Sequence, residues 1–258
     1  GRIASRIILN RPNLTLAAIN SRADSSSHAY LLKHDSSYGT LPNKINFTVN
    51  SISIDGQKIS VFDYPTPGEV PWKKADVDIV IDSTGKFRLS DSLSGHLKSP
   101  VKYVVISSPA KDSIKTIIMG VNENTFDPKK DRIVSNSSCT TNCLATTLKV
   151  LHDNFKVVRG FMTTTHAVTD TQNLLDNSNP EEPRTRRASF ASMIPADTGS
   201  GREIKKFFPE LVDKIECHAI RVPLLTVSMI NLTVEVKNKT TKDEVNKAFE
   251  KASRSNLK

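Results

Sequence analysis

Short apolar runs that end in polar turn residues recur through the first half of the chain. Leu14-Thr15-Leu16-Ala17-Ala18-Ile19-Asn20 is the first, and Ile79-Val80-Ile81-Asp82 and Tyr103-Val104-Val105-Ile106 repeat the form before Ser/Thr/Gly or Ser/Pro turns. Strands of a parallel sheet read this way, because helices cover both faces and leave no polar alternation. Between them, residues 49–61 alternate polar and apolar on either side of Asp55-Gly56, which predicts an antiparallel hairpin. The first half is therefore expected to be a mostly parallel sheet with one antiparallel excursion, flanked by helices.

The pattern changes near Ser135. Leu144, Leu148, Leu151 and Phe155 recur at i, i+4, i+7 and i+11, one apolar face of a helix over 139–154. A strand over 160–166 follows, then an irregular stretch over 176–187 that holds Pro180, Pro183 and three arginines. Beyond it the pattern predicts a helix at 201–208, a strand with alternating polar positions at 227–237 and a helix at 242–252. The second half reads as an antiparallel or mixed sheet with helices on one side. At 258 residues two domains are the natural division, and the boundary is expected at 137/138.

Thirty-six Lys and Arg against 27 Asp and Glu leave a net charge of +9, which favours anionic partners: a phosphorylated metabolite, a nucleotide cofactor or nucleic acid. Aromatics are only 6% and are not interleaved on a basic strand face, so nucleic acid is the least favoured of the three. No apolar run approaches the roughly 18 residues that cross a bilayer. Three cysteines, an odd number, make no disulfide framework and point to a reducing compartment. The opening Gly1-Arg2-Ile3-Ala4 has no leader pattern, so a cytoplasmic protein is expected.

The sharpest local signal is Ser135-Asn136-Ser137-Ser138-Cys139-Thr140-Thr141-Asn142-Cys143. Ser138 is suited to cap the following helix, which puts Cys139 in its first turn. There the positive end of the helix dipole and free N–H groups favour the thiolate form, and the Ser/Thr/Asn surround suits an oxyanion or phosphate. A buried apolar thiol is the competing reading for Cys139, and packing is the expected role of Cys143. The C-x-x-x-C spacing is not that of a zinc or redox pair.

His166 ends the predicted strand Phe161-Met162-Thr163-Thr164-Thr165, where a side chain can project into a cleft and serve a cysteine nucleophile as base. A surface or satisfied core histidine is the alternative. Asp197-Thr198-Gly199-Ser200-Gly201 leads into a helix whose N–H groups can hold a phosphate, although many turns share that pattern. Arg221 is a candidate bidentate phosphate ligand, against the commoner case of an exposed arginine. Arg184, Arg186 and Arg187 form a basic loop, either a solvated face or a surface for an anion or a neighbouring subunit.

In order, the 135–143 motif, the 164–172 stretch, Ile194-Pro195-Ala196-Asp197-Thr198-Gly199, Arg221-Val222-Pro223 and Met119-Gly120-Val121-Asn122 resemble phosphorylating glyceraldehyde-3-phosphate dehydrogenase along the whole chain. The resemblance implies a Rossmann-type doubly wound sheet in 1–137 and an α+β catalytic domain in 138–258. It implies that Cys139 adds to the aldehyde of glyceraldehyde 3-phosphate and that His166 is the base. Ser138, Thr140, Thr198 and Gly199 then correspond to the inorganic-phosphate site. Thr169, Thr171 and Arg221 correspond to the site for the substrate's own phosphate, with Arg221 near both. A homotetramer is implied, with the 177–187 loop between subunits.

For the dinucleotide, the resemblance assigns Arg2 and Ile3 to the end of a Gly-rich fingerprint, with Ala4 in place of its last glycine. Asn20 lies at the end of the second strand, and Thr84, Gly85, Phe87 and Ser107 lie beside adenine and ribose. Where NAD-selective members carry an acidic residue, this chain has Ser21 followed by Arg22. Nothing there repels a 2′-phosphate, and a hydroxyl with a guanidinium can bind one, so NADP is expected to be accepted alongside or ahead of NAD. Relative to the family both ends are missing, and the chain as written is expected to fold poorly alone and turn over slowly. Erythrose-4-phosphate dehydrogenase, a close relative, and a non-catalytic nucleotide- or RNA-binding fragment are the alternatives. A cysteine protease is the weakest, because no Asn or Asp in a recognisable context orients His166.

Overall fold

In the computed structural model, which describes residues 1–179, 182–255 and 257, the apolar runs of the first half become parallel strands. The chain divides into one unit of residues 1–116 and 127–136 and a second of residues 117–126 and 137–258. Pro180 of the irregular stretch lies outside the described residues.

The first unit opens with α1 (Arg2–Leu9), β1 (Ala18–Asn20), α2 (Ser25–Lys33) and a two-residue ladder of β2 (His34–Asp35) with β3 (Gly39–Thr40). Then follow β4 (Ile45–Thr48), β5 (Ser51–Ile54) and β6 (Gln57–Phe62), in a sheet ordered β1-β6-β5-β4. β1 and β6 are parallel, whereas β4, β5 and β6 are antiparallel. The predicted hairpin is β5–β6, and Asp55 (φ +49°) and Gly56 (φ +89°) give its turn the two left-handed residues that match the twist of the strands. A second sheet, ordered β7-β8-β10-β9, comprises β7 (Ile79–Asp82), β8 (Tyr103–Ile106), β9 (Lys115–Thr116) and β10 (Ile133–Ser135), all parallel, with α3 (Ser90–Ser94) in the β7–β8 connection. Of the run 14–20, only the last three residues form a strand. Leu14 closes a turn onto the Arg11 carbonyl and is exposed, so the ladder starts after it.

One buried charge holds the start of this unit together. Arg6 is 8% exposed, and its guanidinium donates to four carbonyls: Leu32, Lys33, Tyr38 and Gly39, at 2.7–3.3 Å. The Leu32 carbonyl is an acceptor left free by the C-terminus of α2, where the helix dipole also favours a cation, whereas the Lys33 carbonyl also accepts the Leu41 N–H at 2.7 Å. Replacing Arg6 with leucine takes the donor from the buried Leu32 carbonyl, and the expected loss is about 2–3 kcal/mol. Urea unfolding reads this as a lowered midpoint at unchanged slope; an unchanged midpoint contradicts it.

The second unit consists of α4 (Cys139–Phe155), β11 (Val157–His166), β12 (Ile194–Ala196), α5 (Ser200–Ile204), β13 (Ile215–Arg221), β14 (Ser228–Val236) and α6 (Lys242–Ser253). The stripe read from the sequence is the buried face of α4: Leu144 and Leu148 are fully buried, Phe155 nearly so, and Leu151 packs at the margin against Met162, Ile204, Leu211 and Ile215. The sheet, ordered β12-β13-β11-β14, is mixed: β11 runs parallel to β13 and antiparallel to β14, and β12 antiparallel to β13. Gly160 permits the tight central packing, since a Cβ there would lie 2.8 Å from both the Thr233 oxygen and Val234 Cγ1. The helix expected at 201–208 covers only 200–204. Residues 205–207 continue as turns whose N–H groups close onto the Glu203 and Ile204 carbonyls, and Pro209 disfavours helical backbone at Phe208, which sits at φ −132°, ψ 79°.

Candidate active site

The chain enters α4 through a capped turn. Ser137 adopts a left-handed backbone (φ +57°) and is buried, and Ser138 is extended, its Oγ accepting the Thr141 N–H at 3.1 Å. Cys139 is thereby the first residue of the helix, and it is exposed. Its Sγ lies 3.2 Å from Nε2 of His166, the last residue of β11. The register of the parallel pair sets His166 directly beside Arg221, the last residue of β13. Arg221 Nη1 is 2.5 Å from His166 Nδ1, and the Ala167 carbonyl oxygen is 2.7 Å from the same nitrogen.

Burial holds the imidazole of His166 below its ordinary 6.5; the Ala167 carbonyl opposes this and the Arg221 charge reinforces it. Loss of hydration also lowers Arg221, the nearby Cys139 opposing. The other two thiols are pushed the opposite way from a reactive range. Cys143, although its residue surface is exposed, is raised by desolvation and by Cys139, and Cys217 is raised by burial to about 11.

A chain of hydroxyls joins two of the residues expected at the inorganic-phosphate site. Ser138 Oγ is 2.7 Å from Thr141 Oγ1, which lies 3.2 Å from Ser200 Oγ, itself 3.0 Å from Thr198 Oγ1. Thr141 and Ser200 are buried to 1% or less, so the chain is dry in its middle and oriented at its ends. Thr198 and Gly199 sit just before α5 and are accessible, whereas Thr140 is buried and exposes 7% of its surface. Thr169 and Thr171 form a pair of their own, Oγ1 to Oγ1 at 3.0 Å, and the buried Gln172 accepts the Thr169 N–H. Thr141, Ser200 and Gln172 were not among the residues singled out in the sequence. The only sequence signal for the first two was their place in hydroxyl-rich motifs.

In the first unit, Asn20, Ser21, Arg22, Thr84, Gly85 and Ser107 lie at or just past the carboxyl ends of parallel strands, where open α/β sheets bind ligands. Asn20 ends β1, and its amide is clamped to Tyr64 by two 3.0 Å hydrogen bonds. Ser21 follows, its Oγ accepting the Ala23 N–H at 3.3 Å, and Arg22 is exposed. The nearest carboxylate along the chain, Asp24, is committed to capping α2: hydrogen bonds from Ser26 and Ser27 bring it down to about 2. At the end of β7 the buried Asp82 accepts from both the N–H and the hydroxyl of Thr84, fixing a turn in which Gly85 takes φ +66° with open space around it. Phe87 packs at the edge of the core, Ser107 lies exposed just past β8, and Arg2 and Ile3 begin α1 next to its N-cap Gly1. Open strand ends, a turn with open space at Gly85 and a glycine-capped helix fit an extended dinucleotide.

Two family matches define the class, an oxidoreductase of the NAD-dependent phosphorylating dehydrogenase type, with parallel strands and nucleotide-type turns in one unit and, in the other, an exposed thiol on α4 beside the histidine that ends a strand of the mixed sheet. Residues 1–90 match the family model "Glyceraldehyde 3-phosphate dehydrogenase, NAD binding domain", and residues 138–258 match "Glyceraldehyde 3-phosphate dehydrogenase, C-terminal domain". Across its whole length the chain is 41% identical to glyceraldehyde-3-phosphate dehydrogenase 2 of Streptomyces avermitilis and 40% identical to glyceraldehyde-3-phosphate dehydrogenase of Geobacillus stearothermophilus, covering 77% of each. It is 39% identical to the enzyme of that name from Chlamydia pneumoniae, again over 77% of that protein. The chain belongs to the glyceraldehyde-3-phosphate dehydrogenase family. Among the described residues no helix is long and apolar enough to cross a membrane.

Proposed function

We propose that this protein oxidises and phosphorylates glyceraldehyde 3-phosphate to 1,3-bisphosphoglycerate, with residues 1–137 holding the dinucleotide and residues 138–258 carrying the chemistry. The observation that supports this best is the exposed Cys139 sulfur at the start of α4, 3.2 Å from His166 Nε2. Cys139 Sγ attacks the aldehyde carbon to give a hemithioacetal, with the backbone N–H groups of the first helical turn steadying the oxyanion. His166 Nε2 takes the hydroxyl proton as the carbon is oxidised to a thioester. A dinucleotide held by the first unit would supply the hydride acceptor for this oxidation. Inorganic phosphate, held by Ser138, Thr140, Thr198 and Gly199, then attacks the thioester carbon and releases the Cys139 thiolate with the acyl phosphate. Thr169, Thr171 and Arg221 hold the substrate's own phosphate.

The dinucleotide is held by Arg2, Ile3, Asn20, Ser21, Arg22, Thr84, Gly85, Phe87 and Ser107. Ser21 and Arg22 directly follow β1, and the first carboxylate after that strand, Asp24, is turned to the α2 cap, so the position that would accept from a ribose 2′-OH carries a hydroxyl and a guanidinium. NADP is accepted, and kcat/KM for NADP equals or exceeds that for NAD. Initial rates with each dinucleotide, glyceraldehyde 3-phosphate and phosphate decide this, and a strong NAD preference refutes it. Omitting phosphate tests the reaction type, since the proposed route needs it to turn over, and erythrose 4-phosphate in the same assay tests the aldehyde. The protein is proposed to act in the cytoplasm, in glycolysis or gluconeogenesis, as a homotetramer with the 177–187 loop at a subunit contact.

A further inference from the structure

Two groups make opposite demands on Nδ1 of His166. The Ala167 carbonyl oxygen, 2.7 Å away, only accepts and requires a proton on that nitrogen. Arg221 Nη1, 2.5 Å away, only donates and requires the lone pair. A guanidinium does not give up its protons in a protein, so no state of the imidazole satisfies both partners at once. With Arg221 engaged, the neutral ring carries its proton on Nε2. It can then donate to the Cys139 sulfur 3.2 Å away, but it has no lone pair there to receive a substrate proton. With Arg221 withdrawn, Nδ1–H donates to the Ala167 carbonyl and Nε2 is a bare base.

The geometry points to Arg221 as the gate on this base: it holds His166 in the Nε2–H tautomer until a phosphate takes the guanidinium away and returns Nδ1 to the Ala167 carbonyl. The inference rests on the roles proposed above for Cys139 and His166, and it gives Arg221 a positioning role beyond holding an anion. The register of β11 with β13 makes the Arg221–His166 contact a consequence of the fold. Among the described residues Arg221 forms no ion pair with a carboxylate, so its half-buried charge is free to be claimed by an arriving oxyanion. Among the described residues, the charged or titratable groups facing the ring are Cys139 from α4 and Arg221 from β13; β14 presents Ser228 opposite His166. The ring stays neutral through the change, one proton leaving Nε2 for solvent and one arriving on Nδ1 from solvent. Occupancy of the anion site is thereby coupled to the competence of the base, so that proton abstraction waits for a phosphorylated ligand.

The test is the ring nitrogen spectrum of protein labelled with ¹⁵N-histidine, above the ordinary imidazole range, titrated with inorganic phosphate. In phosphate-free buffer His166 Nδ1 is expected at the shift of a bare nitrogen and Nε2 at that of a protonated one, and saturating phosphate exchanges the two. In Arg221→Ala, Nδ1 is protonated with or without phosphate, and Arg221→Lys, which keeps a donor, restores the exchange. A protonated Nδ1 in the phosphate-free wild type, or a tautomer that ignores saturating phosphate, overturns the inference, and the wild-type titration decides this even if the variants do not fold. Either result leaves the proposed function standing as long as alkylating Cys139 still abolishes turnover. Turnover that survives that alkylation removes the function, whatever the tautomer does.

Discussion

Replacing Cys139 with serine is expected to lower kcat by about 10³-fold or more while leaving fold and dinucleotide binding in place. A serine hydroxyl at the start of α4 fills the same space and receives the same helix-end field, but it is a far weaker nucleophile at neutral pH and His166 is its only adjacent base. No other thiol in the chain stands in for it, because Cys143 and Cys217 are both raised away from the reactive range. On the proposed route the substitution removes the group that becomes covalent, so the loss is expected on kcat and not on the affinity for NAD. Steady-state rates with a parallel dinucleotide titration check both halves. A serine variant within tenfold of the parent contradicts the assignment.

Changing His166 to asparagine is the second large effect, an expected fall in kcat/KM of about 10²–10⁴-fold. Asparagine keeps a polar group at the end of β11 but cannot take the proton that leaves with oxidation. The pH profile separates this from a packing defect. In the parent, burial and then the Arg221 charge lower the imidazole from its ordinary 6.5, so with His166 as the proposed base the fall in activity is expected on protonation below that value. The acid limb of kcat/KM therefore lies below 6.5 in the parent and disappears in the variant, which is uniformly slow. An unchanged acid limb in the variant assigns the proton transfer to another group.

The sequence exposed those parts of the molecule whose causes are local. The cap at Ser138 and the Leu144/Leu148/Leu151/Phe155 stripe predict α4 to within a residue, because a side chain three positions away and a 3.6-residue period are enough to define it. Asp55-Gly56 likewise predicts its hairpin, since few residue pairs accept two left-handed conformations. Causes that come from far along the chain left no such mark. His166 and Arg221 are 55 positions apart, and only the parallel register of β11 with β13 makes them neighbours. Period-2 patterns are indifferent to strand direction, so β14 read correctly as a strand while the parallel β11–β13 pair was not legible. The buried Arg6, whose carbonyl partners lie 26–33 positions away, reads in sequence as one more surface charge. The run 201–208 looked like one helix because a proline just beyond it acts backwards on Phe208, a weaker signal than the apolar residues before it.

Limited alkylation with iodoacetamide, followed by peptide mass spectrometry and residual activity on the same samples, addresses the reacting atom itself. The account predicts one carboxamidomethyl group, on Cys139, rising in step with the loss of activity, while Cys143 and Cys217 stay unmodified until inactivation is complete. Full modification of Cys139 with turnover intact, or inactivation that tracks another cysteine, would contradict it.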